Sequence, residues 1–261
     1  MHVTRIGLTP LKGARHVELD TVHVSATGPV GDRVFCLVDP EEGRVLRTVE
    51  HPSLVLVDAV WDGTVLTTTT EGGVVTAAPR PTGQHLTFDY WSREARVELM
   101  DSPHADQLGR HLGRVVQLAR VSRPGEVVYA GSVSLVTTGE IDALGESDSS
   151  RFRATVTIDA DRSPTPGTEI TLGEATIRVR APMPRCRVID INTATGELDR
   201  RHLAALADWP RTTGELWFGV DAEVLTPGWV RRGDPVTCPS PRHPGRPDLR
   251  GWAPATTEED G

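Results

Sequence analysis

Short apolar runs rich in β-branched residues recur along the chain and alternate with clusters of Gly, Pro and Asp. Runs of this length between turn residues are typical of β-strands. The pattern predicts strands over 30–39, 54–60, 64–70, 95–99, 127–136, 154–158, 175–179, 187–191 and 235–238. Regularly spaced short strands favour barrels or sandwiches over a doubly wound sheet. We therefore predict a mainly β fold, built of β-barrel units with a few short helices.

Helical patterns are few, and they are predicted over 102–112, 139–145 and 203–207. The first of these opens with Ser102 as a candidate N-cap and Pro103 at the first helical position, and it ends before Gly113. Serine caps a free backbone N–H and proline loses nothing at this position, so the start of this helix is well marked.

The punctuation between elements suggests two β units, 1–95 and 96–238, joined within 89–102. Residues 239–261 are rich in proline and end in acidic residues, which predicts a disordered tail.

Composition limits the class of protein. A chain of 261 residues can bury a sizeable core, and its net charge of −8 argues against broad binding to nucleic acid or anionic membranes. The N-terminal residues contain no long apolar stretch, so no secretion signal or membrane anchor is expected and the cytoplasm is the expected compartment. No heptads point to self-association, and we expect a monomer.

Arginines cluster in part of the chain, at Arg151, Arg153, Arg178, Arg180, Arg185 and Arg187. A guanidinium group binds phosphate or carboxylate through two parallel hydrogen bonds, so a cluster of arginines indicates an oxyanion site. The alternation at 178 and 180 also fits a solvated strand face.

Three cysteines, Cys36, Cys186 and Cys238, have no C-x-x-C spacing, which supports neither a disulfide framework nor a structural zinc site. Cys186 lies between a Pro/Arg-rich turn and a predicted strand. A thiolate is a nucleophile and a soft metal ligand, and nearby cations favour it. A lone cysteine in a strand is also commonly a small buried hydrophobe, and the local sequence leaves both interpretations open.

Five collinear pieces of sequence carry more information together than any one of them alone. They are 9–13 (TPLKG) with 28–39 (GPVGDRVFCLVD), 97–113 (VELMDSPHADQLGRHLG), 151–158 (RFRATVTI), 184–198 (PRCRVIDINTATGEL) and 232–236 (RGDPV). In this order they closely resemble MOSC proteins with an N-terminal MOSC β-barrel domain, the group of the mitochondrial amidoxime-reducing component and its bacterial homologues. The resemblance spans about residues 1 to 238 and implies a MOSC fold over 96–238 preceded by the N-terminal β-barrel domain over 1–95.

The resemblance implies the molybdenum cofactor, a pterin dithiolene with a phosphate (molybdopterin), bound between the two β units. The metal-ligating cysteine of the family falls on Cys186, which suits a metal already held by dithiolene sulfurs. The cofactor-binding positions implied by the resemblance are Lys12, Arg33, Ser132, Arg153, Thr155, Arg185 and Cys186. The cations among them would neutralise the phosphate and the polar ring edges.

This chain departs from the amidoxime reducers at three positions. Gly13 follows Lys12 where they have a serine, and Thr155 replaces the asparagine of their Arg-Pro-Asn element. Asp221 falls where they have an aromatic residue near the metal. Its carboxylate is predicted to be catalytic as a proton donor, or alternatively to be a surface charge.

The resemblance implies a molybdenum-dependent oxidoreductase that reduces small N-oxygenated substrates such as hydroxylamines or amidoximes. The cysteines form no iron–sulfur pattern, so electrons are expected from a separate ferredoxin-like or cytochrome-like protein with a basic face. Two alternatives remain: a sulfur carrier or C–S bond-processing protein that uses Cys186 as a persulfide or thiolate, and a β-barrel binding module without catalysis.

Overall fold

A computed structural model describes residues 1–90, 94–128, 131–209 and 216–238. The described chain is mostly β, with few short helices, so the predicted mainly β class is confirmed. The predicted tail over 239–261 lies outside the described residues. Among the helices of the described ranges, none has the length and apolar character needed to span a membrane.

The strands follow one another closely along the chain. They are β1 (Val3–Leu8), β2 (Val17–Leu19), β3 (Thr21–Ser25), β4 (Gly28–Pro29), β5 (Phe35–Asp39), β6 (Arg44–Val45), β7 (Asp58–Trp61), β8 (Leu66–Thr70), β9 (Gly73–Ala77), β10 (Arg80–Asp89), β11 (Glu94–Asp101), β12 (Gln117–Val121), β13 (Val133–Thr137), β14 (Val156–Ile158), β15 (Glu169–Leu172), β16 (Ala175–Pro184), β17 (Trp217–Thr226), β18 (Gly228–Arg231) and β19 (Val236–Thr237).

The helical elements are short and lie between strands. They are the α-helices α1 (His104–Leu112), α2 (Thr138–Ala143) and α3 (His202–Ala205), and the 3₁₀ turns η1 (Pro52–Leu56), η2 (Ser149–Phe152), η3 (Arg187–Asp190) and η4 (Leu206–Asp208).

Two larger sheets organise the described chain. The first has eight strands in the order β19-β15-β16-β17-β13-β14-β1-β2, and the second has five in the order β10-β11-β12-β5-β6. Strands β18-β3-β4 and β7-β8-β9 form two smaller sheets. The pairings are antiparallel except for β13 with β14, which run parallel.

The first strand of the chain belongs to the sheet built mainly from its second half. Ile6 of β1 pairs with Val156 of β14. After β1 the chain crosses to the five-stranded sheet, where Leu11 bridges to Phe35. The segment 9–16 therefore lies where the two sheets meet. The predicted boundary after residue 95 stays a prediction, although β11 and β12 pair with β5 beyond it.

The apolar cores follow the sheets. One lies on the eight-stranded sheet and includes Ile6, Leu135 and Ile177, all fully buried. Another lies under the five-stranded sheet around Phe35 and Leu54. A third core, below the chain that leads to Cys186, contains Val136, Ile141, Phe152, Ala154, Ile189, Leu206 and Phe218. The rings of Phe152 and Phe218 stack there with centroids 4.3 Å apart.

Several sequence-based predictions of local structure were wrong. Residues 187–190 form the 3₁₀ turn η3 and not a strand, because Ile189 turns into the third core while Arg187 stays exposed. The first residues of predicted strand 54–60 belong to η1. Ser102 does not cap α1, since its hydroxyl bonds to the His104 ring at 2.6 Å instead.

Strand β17 was missed by the pattern, although it lies inside the eight-stranded sheet between β13 and β16. Its sequence, WFGVDAEVLT, places Gly219, Asp221 and Glu223 in the interior of the strand. These residue types are depleted in strands, so the local pattern concealed an element that tertiary pairing imposes.

A buried ionic network ties η2 to η3. Arg151 Nε lies 2.8 Å from Glu146 Oε2, and its Nη1 and Nη2 donate to Asp199 at 2.8 and 2.9 Å. Arg151 Nη1 also donates to the Ile191 carbonyl at 2.9 Å, at the end of η3. His202 Nε2 contacts Glu146 Oε2 at 2.8 Å. Because Arg153 follows η2 and Cys186 precedes η3, the network sets the spacing of both.

Burial opposes ionisation of Glu146, but backbone N–H groups of Asp148 and Ser147, the His202 ring and Arg151 outweigh it and lower the pKa of Glu146 to about 2. Its contribution to stability is therefore complete above about pH 4.5 and is lost as the pH falls toward 2. We expect Glu146→Gln to cost about 2 to 4 kcal/mol of unfolding free energy at pH 7, because it leaves Arg151 short of a buried counter-charge. Urea unfolding at several pH values measures this.

The difference between wild type and Glu146→Gln should shrink as the pH is lowered from 4.5 to 2.5. Glu41→Gln, an exposed control, should change the unfolding free energy by less than about 0.5 kcal/mol. If Glu146→Gln lowered the unfolding free energy by the same amount down to pH 2.5, the lowered pKa of Glu146 would be contradicted.

Candidate functional site

The site forms where the segment 9–16 meets the start of β5. Arg33 N donates to the Thr9 carbonyl at 2.7 Å, and Lys12 N donates to the Phe35 carbonyl at 2.8 Å. The Asp32 carboxylate accepts from Thr9 N at 2.8 Å. These bonds hold the predicted residues Lys12 and Arg33 beside each other, although they are 21 positions apart in sequence.

Two site arginines have a left-handed backbone. Arg33 has φ of 47° and Arg153 has φ of 51°, and they are the two non-glycine residues with positive φ among the described ranges. A non-glycine residue in this region costs about 1 kcal/mol or more, and such residues cluster at functional sites. The surrounding bonds therefore hold both guanidinium groups at an energetic cost to the backbone.

Arg153 and Arg185 are held through backbone carbonyls. Arg153 Nη2 donates to Thr9 Oγ1 at 3.0 Å and to the Ala14 carbonyl at 2.8 Å. Arg185 donates to the carbonyls of Phe152 and Phe218, at 2.6 and 2.8 Å. Each arginine thereby joins elements that lie far apart in the chain.

The site cations have few carboxylates near them. Arg33 pairs with Asp32, whereas Lys12, Arg153 and Arg185 have no ion pair within the described part of the chain. Arg185 Nη2 is also buried without a hydrogen-bond partner among these residues. Largely buried cations without counter-charges are costly, and an anionic ligand relieves that cost.

The pKa values of these buried cations are lowered, because burial disfavours their charged forms. Burial, with repulsion from Arg33, lowers the pKa of Arg153 to about 9, and burial lowers that of Arg185 to about 10. Burial lowers the pKa of Lys12 to about 8; the thiols of Cys36 and Cys186 oppose this shift, and Arg33 and Arg153 add to it.

Lys12 is the single lysine of the chain. Its ammonium lies 5.5 Å from the centre of the Tyr90 ring and 3.5 Å from the Leu46 carbonyl. Gly13, next to it, has φ of 92° and would place an added Cβ 2.8 Å from Leu54. The departure at this position is therefore a fit to packing and to a left-handed turn.

Cys186 is the exposed thiol of the three cysteines. It caps η3 in an extended conformation directly after β16 ends, and Arg185 anchors the chain beside it. Its sulfur lies close enough to Lys12, Arg153 and Arg185 to raise their pKa values, against the effect of burial. The interpretation of Cys186 as a buried hydrophobe is thus wrong, and an accessible soft ligand stands at the edge of a group of cations.

The remaining predicted residues, Thr155 and Ser132, directly precede strands β14 and β13. The Thr155 hydroxyl accepts from Ser134 N at 3.2 Å and lies 3.4 Å from Ser134 Oγ, inside the sheet. Ser132 is partly exposed just before β13. Their assignment to the cofactor stays a prediction, and the bonded Thr155 hydroxyl has little freedom to serve a ligand.

Asp221 is buried, at 7% exposure, which excludes the surface-charge alternative. Its Oδ2 accepts from Gly131 N at 3.1 Å, and its Oδ1 is buried without a partner among the described residues. Asp221 of β17 pairs with Ala181 of β16. The chain leaves β16 for Cys186 at Pro184, three residues later, so about 10 Å of strand separate Asp221 from that point. The carboxylate is not beside the thiol.

Sequence reasoning missed His16. Burial, with the cations Arg5, Arg153 and Arg33, holds the pKa of His16 well below its usual range, so its ring is neutral. Nδ1 accepts from Arg5 Nη1 at 2.9 Å, and the ring packs on Gly7 where any Cβ would collide. The signal available in sequence was only its place four residues after Lys12.

Two family models match this chain: "MOSC domain" over residues 92–237 and "MOSC N-terminal beta barrel domain" over residues 1–105. The first alone spans more than half of the sequence. The chain belongs to the MOSC domain family. This family is associated with proteins like the C-terminal part of molybdenum-cofactor sulfurase and with proteins of the amidoxime-reducing type. The narrower resemblance to the amidoxime reducers stays a prediction.

Solved structures similar to this MOSC protein are distant. They include YiiM from Geobacillus stearothermophilus, with 18% identity and TM-score 0.29. The match covers 41% of this chain and about half (53%) of YiiM. YuaD from Bacillus subtilis has 11% identity and TM-score 0.38, covering 90% of this chain and 92% of its own. A hypothetical protein has 11% identity and TM-score 0.39, covering 92% and 68%. No curated protein matches.

Thiol exposure predicts selective modification. Cys36 is fully buried and burial raises its pKa to about 12, while burial also raises the pKa of Cys238. We expect iodoacetamide to alkylate Cys186 at least about tenfold faster than the other two, as followed by peptide mass spectrometry of the cofactor-free chain. Cys186→Ser should abolish the fast phase. Faster labelling of Cys36 than of Cys186 would contradict the described geometry.

The lowered pKa of Lys12 predicts pH-dependent anion binding. Above about pH 8 the free lysine loses its charge, so an anion that contacts it binds more weakly. We expect the Kd for inorganic phosphate on the cofactor-free chain to rise about three- to tenfold from pH 7 to 9, measured by phosphorus NMR. Inorganic phosphate only gains negative charge over this range, so its own titration cannot account for weaker binding.

Lys12→Arg is the matched control, because a guanidinium has a higher intrinsic pKa than an ammonium group and keeps its charge over more of this range. Its Kd for phosphate should change by less than about twofold over the same range. An equal rise in Lys12→Arg would show that another group titrates.

Proposed function

We propose that this protein is a molybdenum-cofactor-binding oxidoreductase that reduces small N-oxygenated compounds of the hydroxylamine or amidoxime type. One observation carries the proposal: an exposed thiol stands beside largely buried cations that lack carboxylate partners in the described chain. A ligand with an anionic group and a thiophilic metal matches both features.

The donor set fits the cofactor that is associated with the family. Cys186 would hold the metal through its sulfur, while Lys12, Arg33 and Arg153 would hold the phosphate and polar pterin edges. Arg185 would act mainly as a positioning residue, because two of its nitrogens already donate to the carbonyls of Phe152 and Phe218. The bound group supplies two-electron redox chemistry, which these side chains cannot perform alone.

The reduction of a hydroxylamine consumes two electrons and two protons and yields an amine and water. The sequence has no cysteine pattern for an iron–sulfur cluster, so the electrons are assigned to a separate protein. The net charge of −8 favours a donor with a basic face. Asp221, which the resemblance places near the metal, is kept as a candidate proton donor; its buried carboxylate accepts one hydrogen bond, from Gly131 N.

Exposure of Cys186 also keeps a second function open. A persulfide needs an accessible thiol, and cations nearby would stabilise its anion. In that case the protein would carry sulfur and the cations would bind an anionic partner group. The same preparation of protein distinguishes the two functions.

The test uses protein from a host that makes the cofactor. We expect wild type to contain molybdenum and pterin in near-equal amounts and to reduce benzamidoxime with a reduced viologen dye. Cys186→Ser should lose at least about a hundredfold in rate, because removal of a direct ligand exceeds the usual loss from outer residues. Cys238→Ser, the matched control, should behave as wild type.

Three outcomes would overturn the proposal. Wild type without molybdenum and pterin but with a persulfide on Cys186 would assign sulfur handling. Wild type with neither would assign a binding module. Full activity in Cys186→Ser would remove the cysteine from the reaction.

A further inference from the structure

Two arginines on β16 have different surroundings. Arg178 lies on the outer face, where its nitrogens bond to Glu169 at 2.9 Å and to Glu223 at 3.3 Å. Arg180, two residues later, has no hydrogen bond or ion pair within the described residues. Both side chains are exposed, as expected for a solvated strand face, but only Arg178 is paired within the described residues.

A break in strand register explains the difference. Val179 pairs with Ala222 and Ala181 pairs with Asp221, so Arg180 is the extra residue on its strand. An extra residue bends a strand and redirects its side chain, and such bulges are frequent beside functional sites. An ideal Cβ on Gly131 would lie 3.3 Å from Arg180 Nη1 and 3.3 Å from Asp221 Cγ.

Arg180 lines a cavity of about 280 Å³. Its other walls include Thr27, Pro29, Asp32, Gly131 and Ser132. At about 30 Å³ for each water molecule, the volume holds roughly nine waters, or a ligand of ten to fifteen non-hydrogen atoms. The cavity adjoins the candidate cofactor site, because Asp32 on its wall pairs with Arg33.

The charges around the cavity select its ligand. The Asp32 carboxylate is already matched by Arg33 and by Thr9 N. Asp221 lies next to Gly131 on the side of Arg180, and its carboxylate accepts one backbone hydrogen bond, from Gly131 N. These two carboxylates disfavour a dianion, whereas the unpaired guanidinium of Arg180 matches a singly charged carboxylate through two parallel hydrogen bonds.

We propose that Arg180 binds a carboxylate of the substrate in this cavity, so that the protein acts on N-oxygenated compounds that carry an acid group. Ser132, partly exposed on the same wall, offers a hydroxyl to the bound molecule. The proposal rests on the proposed function for the reaction, but the carboxylate site itself can be tested by binding alone.

The experiment compares two substrates of one scaffold, benzamidoxime and 4-carboxybenzamidoxime, on the cofactor-loaded protein. Wild type should have a KM about tenfold lower for the acid. Arg180→Met should raise the KM for the acid about tenfold and leave kcat/KM for benzamidoxime within about twofold. Arg178→Met, the matched control, should change neither.

Binding and cofactor content separate the possible failures. Calorimetry should show that 4-carboxybenzamidoxime binds wild type about tenfold more tightly than it binds Arg180→Met, even if no reduction occurs and the proposed function fails. Loss of pterin from Arg180→Met would instead place the cofactor phosphate at Arg180 and overturn the proposal. Equal affinity of both proteins for the acid, or equal losses with both substrates, would also overturn it.

Discussion

The buried ionic network around Glu146 and Arg151 is the constraint on which the site depends. It joins two short 3₁₀ turns that have little hydrogen bonding of their own, and Arg151 reaches across from one turn to the end of the other. Arg153 follows the first turn and Cys186 precedes the second. The network therefore fixes the two turns relative to each other, while Arg153 and Arg185 add their own bonds to backbone carbonyls.

The site assembled on this frame is an arrangement of positive charge in partly dehydrated surroundings. Lys12, Arg153 and Arg185 have lowered pKa values because burial disfavours their charged forms, and the described chain offers them backbone carbonyls and hydroxyls but no carboxylates. A protein that needed only stability would pair or expose these groups. The arrangement is suited to an anion, and the exposed Cys186 provides a soft ligand beside it.

Local sequence patterns predicted those elements whose ends depend on the conformational preferences of nearby residues. The helix before Gly113 was predicted because a left-handed C-cap favours glycine, and that residue has φ of 65°. Strand β17 was missed because pairing on both sides holds a sequence with poor strand propensity. The segment after Cys186 is rich in β-branched residues, which predicts a strand, yet Ile189 packs into the core beside Phe152 and the segment forms a turn. Tertiary packing decided these cases.

The sequence by itself determined the mainly β class, the family and the set of residues that match its motif, because these depend on residue types in a fixed order. Only the tertiary structure decided which of those residues meet. It brought Lys12 and Arg33 to Arg153 and Cys186 by carrying the first strand into the eight-stranded sheet, beside β14. It also separated Asp221 from the thiol along β16, because pairing register and not sequence order sets the distance between strands.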